Sequence, residues 1–414
     1  MKYVRLGNII VGIILWVSTY SYLYALSPTT PQVMYNIARV NSKALELMAP
    51  IDTGTLLFSD SPEYVVQDGI LYADKVQGDI RFYFYHVNDN FYDRKIVVMA
   101  YNPSPQIVLV QVRNSQYAKP SRSYYKVGKE LSTLYYRTQQ YTKTVLIMPQ
   151  DYAILDERLD QVVVHPQELF SGIVDLYTAK PLFISAMMMP ITEDAITFVK
   201  KQQYLPSDRA KLRGTFQGKE RYLQGTTPYS TQMGICHIKL VDNKNDRFLQ
   251  GWDSMDSRLA DNRGNYGVAY TIHVKTKGKG DIHLYFNPQG GAYAGVAKLI
   301  YNKGQRNEMT KDISLPEKGL HIGHKDMYAI QYMDTFSAGK DVQILFMPPG
   351  AANLPVRFIL VPEKNIAQVI SDEADRNHPH TAVEREEVHN KRNHYNMLIS
   401  KKDLEQLLRP LQDD

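Results

Sequence analysis

Several places in this 414-residue chain gather side chains that could do chemistry. Cys236 stands beside His237, and a thiol becomes a nucleophile when an imidazole holds it as thiolate. Neighbours on a strand point to opposite faces, so on the strand predicted for residues 235–241 the pair cannot touch. A buried, inert cysteine beside an exposed histidine is the simpler reading. Trp252 is followed by Asp253, Asp256 and Asp261. Two of these carboxyls could serve glycoside hydrolysis if they faced each other across about 5–10 Å, a spacing that positions in a loop do not reveal. His378, His380, His389 and His394 lie among Glu384, Glu386 and Glu387. Those are metal-binding types, yet the His-x-x-x-His helical spacing is missing, and a solvated polar segment accounts for them. Residues 242–246 resemble a calcium loop except that Lys244 stands where an oxygen ligand is needed. Asn88, Asp89, Asn90 and Asp93 have better ligand chemistry, but Asx residues also supply the hydrogen bonds that turns require. Neither a metal site nor a cofactor is expected, and no nucleophile elbow, P-loop, dinucleotide fingerprint or zincin helix occurs.

Binding is the alternative to catalysis, and tyrosine is the outlier that suggests it: 30 Tyr against 13 Phe and 2 Trp. A tyrosine packs its ring on a sheet while its hydroxyl reaches a polar partner. The stretch 78–102 carries Tyr83, Tyr85, His86 and Asn88 on one β-rich run, a polar turn, and a second β-rich run. A related pattern returns at 280–302 with Tyr285 and Asn287. These six residues, with Trp252, Asp253 and Asp256, are the candidate binding residues. Plain sheet packing is the simpler reading of these residues.

The elements that would hold them are strands. Residues 107–112, 144–148, 161–164 and 182–187, and later 235–241, 267–274, 330–333, 342–347 and 356–361, have strand length and β-branched or aromatic content. Prolines punctuate them, and long helices do not intervene, which argues for sandwiches rather than an α/β sheet. The expected fold class is mainly β, with two tandem antiparallel β-sandwich domains and short flanking helices. Residues 51–191 form the first, 192–212 the connection and 213–363 the second. Residues 145–149 match 344–348, and 183–190 match 358–362, as late strands of the two copies.

Residues 1–27 read as a signal peptide or N-terminal membrane anchor: Lys2 and Arg5, an apolar centre from Ile9 to Val17, then Ala25. The uncharged run 6–26 is also long enough to span a bilayer uncut. Either way the remainder is expected outside the cytoplasm, secreted, periplasmic or at the cell surface, with the membrane touched only through this segment. In the 28–50 linker, Val33, Ile37, Val40, Ala44 and Leu47 predict one amphipathic helix, docked on the first sandwich or paired with another chain. Residues 364–414 read as a charged tail ending in a helix with Leu404, Leu407, Leu408 and Leu411. A net charge of +5 without a basic, aromatic-interleaved block makes nucleic acid a poor partner.

Phe58-Ser59-Asp60-Ser61-Pro62-Glu63, Tyr85-His86-Val87-Asn88, Ser171-Gly172-Ile173-Val174-Asp175 and Arg213-Gly214-Thr215-Phe216 give residues 50–362 a resemblance to uncharacterised exported proteins of anaerobic and spore-forming Firmicutes. Proteins of that group often carry a copper amine oxidase N-terminal-like stalk domain, which is not seen here. The resemblance implies export and tandem β architecture and brings no catalytic residue. The expected function is that of an exported, non-catalytic cell-envelope protein that binds a surface polysaccharide or an envelope protein. The alternatives are a polysaccharide hydrolase centred on Trp252, Asp253 and Asp256, or an assembly scaffold using the terminal helices.

Overall fold

The computed structural model describes residues 27–137 and 141–374, so residues 1–26 of the expected leader, the His-rich segment and the expected helix around Leu404 to Leu411 lie outside the described residues. The first half runs β1 (Lys43–Ala44), β2 (Ile51–Ser59), β3 (Tyr64–Val65), β4 (Gly69–Asn88), β5 (Arg94–Tyr101), β6 (Val108–Tyr117), β7 (Lys143–Ile147), β8 (Tyr152–Ile154) and β9 (Leu169–Pro190). The second runs β10 (Arg213–Gln224), β11 (Tyr229–Ser230), β12 (Cys236–Leu240), β13 (Leu249–Asp253), β14 (Arg258–Asn262), β15 (Ala269–Lys277), β16 (Asp281–Pro288), β17 (Gly295–Tyr301), β18 (Met309–Leu315), β19 (Gln331–Ser337), β20 (Asp341–Phe346) and β21 (Val356–Pro362). The protein is mainly β, and antiparallel pairing predominates in two sandwiches.

In the first sandwich β4 and β9 pair along their whole lengths, with register shifts between Ile70 and Tyr72 and between Val76 and Gly78. Their two halves serve different layers. The C-terminal half of β9 lies between β4 and β5, and its N-terminal half between β4 and β6. The second sandwich uses the same device with the strands cut: β20 lies between β15 and β17, while β19 pairs with β16. Gly278 and Gly280, both at positive φ, make the cut where β4 continues through Gly78. The equivalent of 344–348 is therefore the end of β9, not 145–149. Sequence matching misassigned it because short apolar runs ending in Met-Pro occur in both places.

β2 bonds to β4 on one side and to β10 on the other. This continues one sheet of sixteen strands across both halves, faced in the second by the sheet β1-β12-β21-β16-β19. Side-chain alternation then separates two cores. Leu57, Phe82 and Phe84 point into the first sandwich with Val98, Val110 and Val174. Leu56, Phe58, Tyr83 and Tyr85 point the other way and join a core with Tyr270, Phe286 and Phe346 of the second half. Both faces of this strand layer are buried, so Phe82, Tyr83, Phe84 and Tyr85 follow one another in β4 without a polar residue between them. The two sandwiches belong to one compact unit ending at Ala367, and Gln368 onward clusters separately.

Three arginines tie the halves together. Arg81, with no exposure, bonds Asp175 through Nε at 2.7 Å and Glu220 through Nη2 at 2.7 Å, and donates to the carbonyls of Lys219 and Gly267. Arg213 holds Asp253 and Asp256 and donates to the Ser61 and Leu71 carbonyls of the first half, and Arg221 holds Asp52 and Asp246. Buried guanidinium groups with carboxylate partners and saturated donors make a directional joint that apolar contact alone does not supply.

Three segments depart from the sequence reading. The first helix stops at Arg39, and Ala44 continues in β1, parallel to β12. It docks on the second sandwich, where Arg357 donates to the Ala38 carbonyl and Tyr35 meets Tyr328 edge-on at 5.9 Å. Residues 161–164 form no strand; a short helix, Glu157–Asp160, precedes them and only Val164 bridges to Arg94. A helix, Tyr124–Arg137, stands in the expected strand region. Its Val127 and Leu131 are buried at helical spacing, a signal masked by flanking tyrosines that read as β-formers.

Candidate functional site

Where the layer β2–β4 meets the second sandwich, a pocket opens between Phe58, Asp60, Glu63, Tyr83, Tyr85, Leu212, Tyr266, Gly350 and Ala351. It holds about 450 Å³ of atom-free space, counting its mouth. Strand parity builds it. Leu56 and Phe58 share one face of β2, Asp60 just past its end continues their alternation, and Tyr83 and Tyr85 share the same face of β4, so a carboxyl occupies a place where the pattern calls for an apolar residue. Tyr266 arrives from the turn before β15, donating to the Ala352 carbonyl at 3.0 Å. The Gly350 N–H donates to the Tyr83 hydroxyl at 3.1 Å. A Cβ on Gly350 would lie 2.4 Å from the Tyr85 ring, so glycine is required for the loop to come this close. Phe58 stacks on Tyr83 at 5.6 Å and packs against Tyr266 at 6.1 Å.

The loop 61–63 is fixed by Asp208, whose carboxylate accepts from the Ser61 hydroxyl at 2.9 Å and the Glu63 N–H at 2.8 Å. Asp60 is 9% exposed, and its Oδ1 has no hydrogen-bond partner among the described residues. Burial, then the charges of Glu63 and Asp208, hold the Asp60 carboxyl well above the usual carboxylate range. Burial, then Asp208, pushes Glu63 up to about 7. Burial, then Asp60 and Glu63, raises Tyr85. Among the ion pairs of the described residues, none involves Asp60, Glu63 or Asp208. Uncompensated carboxyls in an aromatic pocket are a costly arrangement of the kind found where a ligand is meant to arrive.

That cost gives a measurable sign. Glu63 is faced by Asp60 just beyond β2, Asp208 of the linker, Tyr64 and Tyr85, Tyr124 of the helix and Tyr266. Its folded value lies above its unfolded one, so its contribution to stability is present below about 4.5 and lost as pH rises through about 7. Glu63→Gln keeps the neutral form at every pH. It should match the wild type in urea unfolding at about pH 4.5 and exceed it by on the order of 2 kcal/mol at about pH 8. Buried His86, pushed down to about 4, acts in the opposite direction as pH falls below 6.5, equally in both proteins.

Of the residues singled out from sequence, Tyr83 and Tyr85 line this pocket. His86 and Asn88 lie on the opposite face of β4. His86 donates through Nδ1 to the Pro62 carbonyl at 2.8 Å, so its Nε2 accepts from Ser59 at 2.8 Å, and both side chains have no exposure. Asn88 binds the Tyr92 and Val164 carbonyls. In the second half, Tyr285 donates to the Pro28 carbonyl and Asn287 accepts from Arg357, both fully buried. Trp252 is 47% exposed. Buried Asp253 is bound by Arg213 and Arg258, and Asp256 by the same pair and Ser207. Burial raises Asp256, but Ser207 and the arginines bring it below its ordinary range, the reverse of what a general acid needs. Cys236 is buried while His237 faces Ser42, as strand alternation requires. The Asp242 carboxylate accepts three N–H groups of its own turn, from Lys244, Asn245 and Asp246. No group of three metal-ligating side chains occurs among the described residues.

Asp60 and Glu63 are absent from the sequence-derived candidates, although both stand in the Phe58-Ser59-Asp60-Ser61-Pro62-Glu63 segment. The signal that could have found them is the parity of Leu56, Phe58 and Asp60 at a strand end. Asp175 and Arg213 belong to the arginine joint behind the pocket.

No protein family matches this chain and no curated protein matches it. Solved structures it is similar to include the tandem CBM22-1–CBM22-2 domain of Paenibacillus barcinonensis Xyn10C, at 7% identity and TM-score 0.16 over 78% of this chain and 99% of that one. Others are vicilin from Capsicum annuum, at 7% and 0.11 over 70% and 74%, and Streptomyces albus HEPD, at 9% and 0.13 over 78% and 70%. Scores this low carry no argument about function.

Proposed function

We propose that this chain is an exported, non-catalytic binding protein of the cell envelope, and that a group protruding from a surface polymer or envelope protein enters the pocket between its two sandwiches. The observation that carries the reading is the buried Asp60 Oδ1, left without a partner in an aromatic-lined opening built by both halves. A buried acceptor without a donor costs about 1–3 kcal/mol, which an incoming donor recovers. Tyrosine supplies contact area at low entropic cost. The leading stretch 1–27 and the tandem architecture support the envelope setting.

In the Trp252 region, Asp253 and Asp256 are occupied by arginines, which speaks against either serving as the acid of a hydrolase. The test is a pull-down from envelope extract in parallel with a glycan array, using the purified chain and Asp60→Asn. The expected result is one component retained by the wild type and weakened at least about tenfold by the substitution. Equal retention by both proteins would contradict the reading.

A further inference from the structure

We infer that the group the pocket takes is a primary ammonium on a slender alkyl stem, the side chain of a lysine displayed by an envelope protein. This rests on the proposed function and narrows it. Asp60 and Glu63 both line the pocket, Asp208 anchors the loop between them, and none of the three has a cation partner among the described residues. The Asp60 Oδ1 lacks a donor. An ammonium satisfies both demands, because it brings three N–H donors and the missing positive charge. A quaternary ammonium would bring the charge without the donor.

The walls suit the stem. Phe58, Tyr83, Tyr85 and Tyr266 surround the carboxyls, and a cation near such rings is attracted by their negative faces. Tyr83 is 2% and Tyr85 5% exposed, so neither offers a ring face broad enough for a pyranose to stack on. A methylene chain needs no broad ring face. Lysine rather than arginine follows from the acceptor, since a single unpartnered oxygen calls for a compact point charge rather than a planar fork that matches a carboxylate through both its oxygens.

Titration calorimetry of the purified chain at about pH 8 tests this with four probes. These are Nα-acetyl-lysine methylamide, its norleucine counterpart lacking the ammonium, choline and glucosamine. The lysine probe should bind at least about tenfold more tightly than each of the others. Its affinity should fall at about pH 5.5, where Glu63 holds its proton, and binding at about pH 6.5 should release protons, seen as a heat that differs between buffers of unlike ionisation enthalpy. Asp60→Asn, checked for an unchanged or higher melting temperature, should lose at least about tenfold. Norleucine binding as well as lysine, glucosamine or choline binding more tightly, or Asp60→Asn binding unchanged would each overturn the assignment. If a captured envelope component is not displaced by the lysine probe, this inference fails and the broader reading stands. If the lysine probe binds while extract yields no partner, the broader reading fails and the ammonium site stands.

Discussion

Arg81→Met should destabilise the protein by roughly 3–5 kcal/mol, the cost of removing one partner from a buried ion cluster. Methionine fills a comparable volume and adds apolar contact, and where a whole buried ion cluster is replaced such exchanges are sometimes neutral. Here only one member leaves. Asp175 and Glu220 remain as carboxylates, with side chains 10% and 23% exposed, and the Lys219 and Gly267 carbonyls lose their donor. Tyr135, which also meets this guanidinium, loses its cation as well. The unpaired charges outweigh the gain from one buried thioether of about 2 kcal/mol. Equilibrium urea unfolding at about pH 7 gives the number, and a loss below about 1 kcal/mol would mean that the joint between the sandwiches does not depend on this cluster.

Gly128→Ala pits two effects against each other. In an exposed helix the change would stabilise by up to about 1 kcal/mol. In the helix Tyr124–Arg137, however, the new Cβ would lie 2.2 Å from the carbonyl oxygen of Gly350, a backbone atom that cannot swing aside. The helix must retreat from the second sandwich, loosening Val127 and Leu131, so overpacking of about 1–3 kcal/mol is set against the gain and wins. The same retreat disturbs the loop that places Gly350 against Tyr85. A lowered melting temperature should therefore be accompanied by weakened binding of the lysine probe. A Gly128→Ala variant that melts higher than the wild type would show that the helix approaches less closely.

Much of this fold is legible in the sequence, because period-two alternation and Pro-Gly punctuation act locally. The repeated Gly-Asp-Ile at 78–80 and 280–282 marks corresponding places in two related strand pairs, one continuous and one cut. What is hidden depends on the second copy. Tyr83 and Tyr85 read from the sequence as candidate binding residues, because an antiparallel sheet commonly shows one side to water, and only the pairing of β2 with β10 covers that side. The same pairing turns Asp60 from the end of a strand into the wall of a pocket. Asp253 and Asp256 read as a reactive pair because nothing in their own neighbourhood announces that Arg213, far earlier in the chain, bonds both. Long-range pairing decides the site, and short-range patterns do not carry it.

The most direct measurement is the titration of the side-chain carboxyls by carbon-13 NMR on the free chain, with Asp60→Asn and Glu63→Gln providing the assignments. The expected result is a Glu63 midpoint near about 7, an Asp60 midpoint well above the usual carboxylate range, and a fall in both once the lysine probe is bound. Midpoints for both groups near about 4, unchanged by the probe, would contradict the claim that the junction of the two sandwiches keeps an uncompensated acidic pocket for a ligand.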